Sequence, residues 1–196
     1  MATTRGTRSI ARAAVRSELS RVALECFLRD GFDHVTVTDV ASAAGVSRTT
    51  FLRYFATKED AVLGTFELRG EQVTQALRDR PRSEDDWTAL RRAFDVVVVD
   101  HERDRTAALA IARLIAQTAS LRAWELQQQC SWRTGLAAAL ADRSPGQGNV
   151  LTRSTVVVAA ALNCLDIAVA HWAGNGGIVS LGDALDSAFA HLTTTD

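Results

Sequence analysis

The sequence predicts an all-α protein of about nine helices, a small N-terminal head followed by a larger helical body. Three observations carry that prediction. Proline occurs only twice, at Pro81 and Pro145, while Ala, Leu, Arg and Glu fill the segments between, residues that lose little freedom on entering a helix. Ser or Thr followed three residues later by Asp recurs at Thr36/Asp39, Thr57/Asp60, Ser83/Asp86 and Ser180/Asp183, the pattern that satisfies the free N–H groups of a first helical turn. No strand-like alternation of useful length competes. The one β-branched run, Val96 to Val99, lies within a helical spacing of Trp87, Leu90, Phe94, Val97 or Val98, and His101, where apolar groups recur at three and four residues.

Taken in order, helices are expected near 9–30, 37–43, 48–54, 58–79, 84–101, 104–118, 121–142, 150–173 and 181–192. Gly31 closes the first helix and the Gly174–Gly177 loop closes the eighth, since glycine accepts the left-handed conformation that ends a helix. Breaks are expected at Arg80 to Ser83 and Ser144 to Asn149, and no internal repeat is visible. Thr155 to Trp172 is the most apolar stretch, but Asn163, Asp166 and His171 interrupt it, so a buried helix is expected rather than a membrane span.

Charge divides the chain in the same place. Between Met1 and Lys58 nine basic residues face five acidic ones, a net +4; with the whole chain at −1, the remainder carries −5. A basic head on an acidic body suits a protein whose one end approaches phosphate while the rest stays soluble. The expected division is a head over residues 1–57, with a basic N-terminal arm, and a body over 58–196. Arg5, Arg8, Arg12 and Arg16 form that arm, which fits either a minor-groove contact or a frayed, solvated end.

Within the head, Thr36 to Phe55 has the parts of a helix-turn-helix. Val37, Val40, Ala41 and Ala44 give a first helix its inner face, Gly45 makes the turn, Val46 packs inward and Ser47 caps a second helix. Arg48, Thr49, Thr50 and Arg53 are then left on its exposed start and side, donors suited to base edges and phosphates. Phe27, Phe32, Phe51 and Phe55 read as the head's core. The run Gly31-Phe32, Thr36 to Ala41, Ala44 to Ser47, Phe51, Tyr54-Phe55 and Lys58-Glu59 resembles the N-terminal domain of TetR-family transcriptional regulators, over roughly residues 9–65. The resemblance implies base contacts by Arg48, Thr49 and Thr50, with Ser47 as cap, and phosphate contacts by Thr36, Arg53, Tyr54 and Lys58. Leu52 stands where the family often has a tyrosine, so that phosphate contact is missing.

One reading helix covers only a few base pairs, so a homodimer on double-stranded operator DNA is expected. The last two helices place Val156, Ala160, Ile167, Leu181, Leu185, Ala188 and Leu192 at helical spacing; the resemblance implies that they pair with their mates, though the same pattern fits an intramolecular core. A small hydrophobic or amphipathic effector needs an apolar cavity with a few polar groups. Trp87, Phe94, Val98, His101, Trp124, Gln128, Trp132, Asn163 and Asp166 are the residues expected to line it, although aromatic stripes also build plain cores. The function implied is that of a ligand-released repressor; an activator using the same motif, or a helical interaction protein, fits the residues as well.

No nucleotide-binding glycine loop, nucleophile elbow or zinc-protease motif occurs, so no catalytic residue is expected. His101, His171 and Asp166 lack metal-ligand spacing, and neither metal nor cofactor is expected. Cys26, Cys130 and Cys164 are odd in number and widely spaced, which favours reduced thiols in a cytoplasm over a disulfide framework. The Arg-rich start has no apolar h-region, so no secretory signal and no membrane partner are expected.

Overall fold

The computed structural model describes residues 3–63, 66–143 and 150–192, and every element among them is helical. The expected break at 144–149 and the side chains of Arg5 and Arg8 lie outside the described residues. The chain divides into two compact units, Met1–Gly64 and Thr65–Asp196. The first holds α1 (Thr3–Asp30), α2 (Val37–Ala43), α3 (Arg48–Leu52) and α4 (Lys58–Leu63), so α4 lies with the head, beyond the division expected after residue 57. The second holds α5 (Phe66–Arg78), α6 (Asp86–Ala93), α7 (Asp95–Arg103), α8 (Arg105–Gln117), α9 (Ala119–Ala141), α10 (Val150–Gly174) and α11 (Leu181–Ala190). The expected 58–79 helix is thus described as α4 and α5, and its middle, residues 64 and 65, lies outside the described residues.

In the first unit, α1 begins at Thr3, earlier than expected, so the arginine arm is helical in its backbone. Leu19, Ala23, Cys26 and Phe27 of α1 are buried with Phe32, Val35, Val40, Phe51 and Phe55. Phe27 and Phe32 meet at 4.8 Å between ring centroids, and Phe51 and Phe55 at 5.2 Å. These rings are the unit's core, as their type and spacing predict.

The second unit is built on α10, whose apolar length is enough to cross a membrane. Val158, Ala161, Leu162, Leu165, Ala168 and Trp172 on its inner face are buried in a core shared with α5, α6, α7, α9 and α11, so the helix is accounted for by packing. Arg143 donates to the carbonyls of Leu77, Arg80 and Pro81, a cation placed on the free acceptors that end α5.

Two local features differ from those expected. Asp85, rather than Ser83, caps α6, accepting from the N–H groups of Trp87 and Thr88. The helix expected over 84–101 is broken at Phe94: Phe94 N–H reaches Leu90, while both Val97 and Val98 donate to Phe94 O. The tightened turn shifts the phase of α7 relative to α6.

Candidate nucleic-acid interface and cavity

The reading helix is fixed at both ends by local chemistry. After α2, Gly45 adopts φ +67°. Its N–H donates to Ser42 O and that of Val46 to Ala41 O, a left-handed cap that a side chain would strain. Ser47 then caps α3: its Oγ accepts from Thr50 N at 3.0 Å and lies 2.9 Å from Thr50 Oγ1. Arg48 and Thr49 are exposed, and Thr50 is half-buried beside the cap. Below them Phe51, wholly buried, anchors the helix. The first turn therefore offers a guanidinium and two hydroxyls to the outside on a helix N-terminus, which itself favours anions.

The remaining expected contacts divide. Arg53 is exposed, its guanidinium 5.5 Å from the centre of the Tyr54 ring. Arg12 of α1 covers the same ring at 5.5 Å and donates to Arg53 O, while Arg16 lies over Phe55 at 4.9 Å. Arg12 and Arg16 are therefore packed on the end of the reading helix rather than extended as an arm. Thr36 is occupied as a cap: its hydroxyl donates to Asp39 Oδ2, its N–H donates to the same oxygen, and its Oγ1 accepts from Asp39 N. Those bonds hold the Asp39 carboxyl below its ordinary range. Lys58, expected on phosphate, donates to Phe32 O at 2.7 Å and Val35 O at 3.3 Å, and lies over the Phe32 ring. It ties α4 to the loop before α2. The sequence could not show this, because those carbonyls come from residues more than twenty positions away.

The second unit contains a cavity of about 540 Å³. One wall is the apolar face of α8, with Ala108, Ile111 and Ile115; the opposite wall is Leu165, Val169 and Ala173 of α10. Charged residues complete it. Arg122 of α9 grips Asp166 of α10 with two bonds of 2.9 and 2.7 Å and donates to Glu125 Oε2 at 3.0 Å. Arg69 of α5 donates to Asp100 Oδ2 of α7. Glu125 is buried, and burial pushes its carboxyl up against the opposing pull of Arg122. His101 donates from Nδ1 to Val97 O at 2.8 Å, since a carbonyl can only accept. Burial first, and Arg69 second, lower its pKa, leaving a neutral ring whose Nε2 is an acceptor.

Of the nine residues expected to line this cavity, His101, Trp132 and Asp166 do so. The other six do not. Trp87 stacks on Phe189 at 4.5 Å and donates to its carbonyl, and Phe94 is wholly buried in the core beside the same ring. The break at Phe94 turns Val97 and His101 inward together and sends Val98 towards Gly182 of α11. On α9 the lining stripe is Arg122, Glu125, Gln129 and Trp132, which rotates Trp124 and Gln128 off the wall. Asn163 is exposed on α10. Missed altogether were Arg69, Asp100, Arg122 and Glu125; a signal existed in Arg122 and Glu125, opposite charges three apart on one helix.

The expected pairing stripe also divides. Val156 and Ile167 are more than 60% exposed and Leu192 is 58% exposed, with Ala160 half-buried between the first two. Leu181 and Leu185 are wholly buried and Ala188 packs against the core, because α11 uses its apolar face on α10 of its own chain.

A capped helix with an exposed basic first turn, joined in one chain to a helical body with a cavity, defines a DNA-binding regulator of the helix-turn-helix class. Comparison with known proteins agrees. Residues 19–63 match the family described as bacterial regulatory proteins, tetR family, and residues 84–195 match the MftR C-terminal domain. The chain is 33% identical over 182 residues to the putative mycofactocin biosynthesis transcriptional regulator MftR of Mycobacterium tuberculosis, covering 91% of this chain and 89% of that one. It is 36% identical over 134 residues to the HTH-type transcriptional regulator TcmR of Streptomyces glaucescens, covering 65% and 59%. Among solved structures, FadR of Bacillus subtilis in complex with stearoyl-CoA superposes with a TM-score of 0.59 at 17% identity, over 90% of this chain and 97% of that one. NalD, the secondary repressor of a multidrug efflux pump in Pseudomonas aeruginosa, does so with 0.59 at 16%, over 92% and 94%. The chain belongs to the TetR family and is a transcriptional regulator.

Proposed function

We propose that two copies of the chain form a cytoplasmic repressor on a palindromic operator, released when a small amphipathic molecule occupies the cavity. The observation that carries the reading is α3, where Ser47 holds the first turn and Arg48, Thr49 and Thr50 present donors with no carboxylate among them. Arg48 pairs with a guanine edge, the threonines meet neighbouring bases, and Arg53 and Tyr54 meet phosphate. Val156, Ala160 and Ile167 support a pairing face on α10, since large exposed aliphatics at helical spacing are what an isologous contact needs. The cavity supports effector binding through its apolar walls and few convergent polar groups. The effector acts by binding more tightly to the body conformation that the operator-bound dimer does not adopt.

The test is duplex binding by the wild type and by Arg48→Ala/Thr50→Ala as salt is varied. The wild type should lose affinity steeply with salt for any duplex and retain a preferred sequence. The double variant should lose that preference, about 1–3 kcal/mol per lost base contact, while its helicity stays unchanged. Unchanged selectivity in the double variant refutes the reading.

A further inference from the structure

A second hollow, an open groove of about 670 Å³, runs where α5 and α9 cross, lined by Leu68, Gly70, Thr74, Gln75 and Gly135 among others. Among the described residues, Trp132 alone lines both the groove and the first cavity. Trp132 is 5% exposed and its indole lies directly against Gly70. A β-carbon placed on residue 70 would come within 2.3 Å of Trp132 Cδ1 and 2.4 Å of Nε1, closer than packed atoms allow. Glycine at 70 is therefore what lets the ring sit between the two spaces. Around that ring the groove side is shaped by small residues, with Thr74 bonded back to Gly70 O and Gly135 facing the Thr74 side chain.

The geometry points to Trp132 as the end wall of the effector site, the residue that sets how long an apolar chain the cavity accepts. The ligand class is a straight apolar chain with one polar end. The chain lies between the aliphatic faces of α8 and α10, and the polar end meets the Arg122–Asp166 pair, ten residues from Trp132 along α9. The far end of the chain stops on the indole, and beyond the indole lies the groove. Removing the ring joins the two spaces, and crowding it from the α5 side shortens the first. This inference rests on the cavity being the effector site.

Affinities of straight-chain alkanoic acids, from octanoic to octadecanoic, measured by calorimetry on the full-length dimer test it. In the wild type each added methylene that finds room should contribute about fourfold, until the chain reaches Trp132 and the gain stops. Trp132→Ala should move that stopping point to longer acids, and Trp132→Phe, which keeps an aromatic ring in the packing, should move it less in the same direction. Gly70→Ala should move it to shorter acids. The same stopping length in the wild type and in whichever of these variants retain native helicity overturns the end-wall assignment. A wild type that binds none of the acids overturns the chain-like ligand as well, while operator selectivity, measured separately, still reports on the regulator reading.

Discussion

The helix-turn-helix and the cavity handle their polar side chains in opposite ways. Around the reading helix, side chains are tied to backbone and leave the reading groups in water: Ser47 holds Thr50 N, Thr36 holds Asp39 N, and Lys58 holds two carbonyls. Around the cavity, charged side chains are tied to one another, Arg122 to Asp166 and Glu125, Arg69 to Asp100. The first arrangement is a rigid frame that displays charge outward without needing a ligand. The second is a set of satisfied pairs, which an incoming polar group enters only by exchanging partners. Readout and response thus have different physical requirements, and one chain meets them in separate compact units.

The largest effect is expected at the cores. Phe51→Ala removes a wholly buried ring from the head and should cost about 3–5 kcal/mol there. Duplex binding should disappear while circular dichroism keeps the helical signal of the body. A single loss of all helicity would show the units to be one cooperative body.

The next effect is in the cavity wall. Arg122→Ala strands the buried Glu125 and the Asp166 carboxylate together. The arginine side chain is 40% exposed, so the loss is discounted from that of a fully buried pair to about 1–2 kcal/mol. A lower thermal midpoint with duplex affinity retained is the expected result. Ser47→Ala should cost about 1 kcal/mol through the lost cap and, unlike Arg122→Ala, should weaken duplex binding, because the first turn of α3 is then unpinned.

The smallest effect is a slope. Burial, together with the neighbouring Asp166 carboxylate, raises the Glu125 carboxyl more than Arg122 lowers it, so the folded chain holds that proton to higher pH than the unfolded chain does. This contribution is fully present below the ordinary glutamate range and is lost as pH rises towards the raised value. Glu125→Gln should therefore gain thermal stability relative to the wild type at neutral pH, and the difference should close on acidification. A difference independent of pH contradicts the sign.

The head was legible in the sequence because its determinants are local. Thr36, Gly45, Ser47 and the phenylalanines act within about one turn of their own positions, so spacing alone places them. Lys58, Arg12 and Arg16 escaped, each fixed by groups distant in the chain, and so did the grouping of α4 with the head. In the body the helices were legible but not their rotation. The tight turn at Phe94 moves the inward position from Val98 to Val97, and reading α9 one residue off exchanges Gln129 for Gln128. Nothing local marks either phase, since Phe189, which draws Trp87 and Phe94 away, lies about a hundred residues further on. Leu181 and Leu185 carry the same lesson, because an apolar stripe does not say which of two helices will cover it.

On the function proposed above, paired copies of α3 read successive turns of duplex DNA. Selection of bound sequences from a random duplex library tests it most directly. The account predicts an enriched site of twofold symmetry, its half-sites one helical turn or a whole multiple apart, bound by an even number of chains. No enriched sequence, or a single asymmetric site held by one chain, contradicts it.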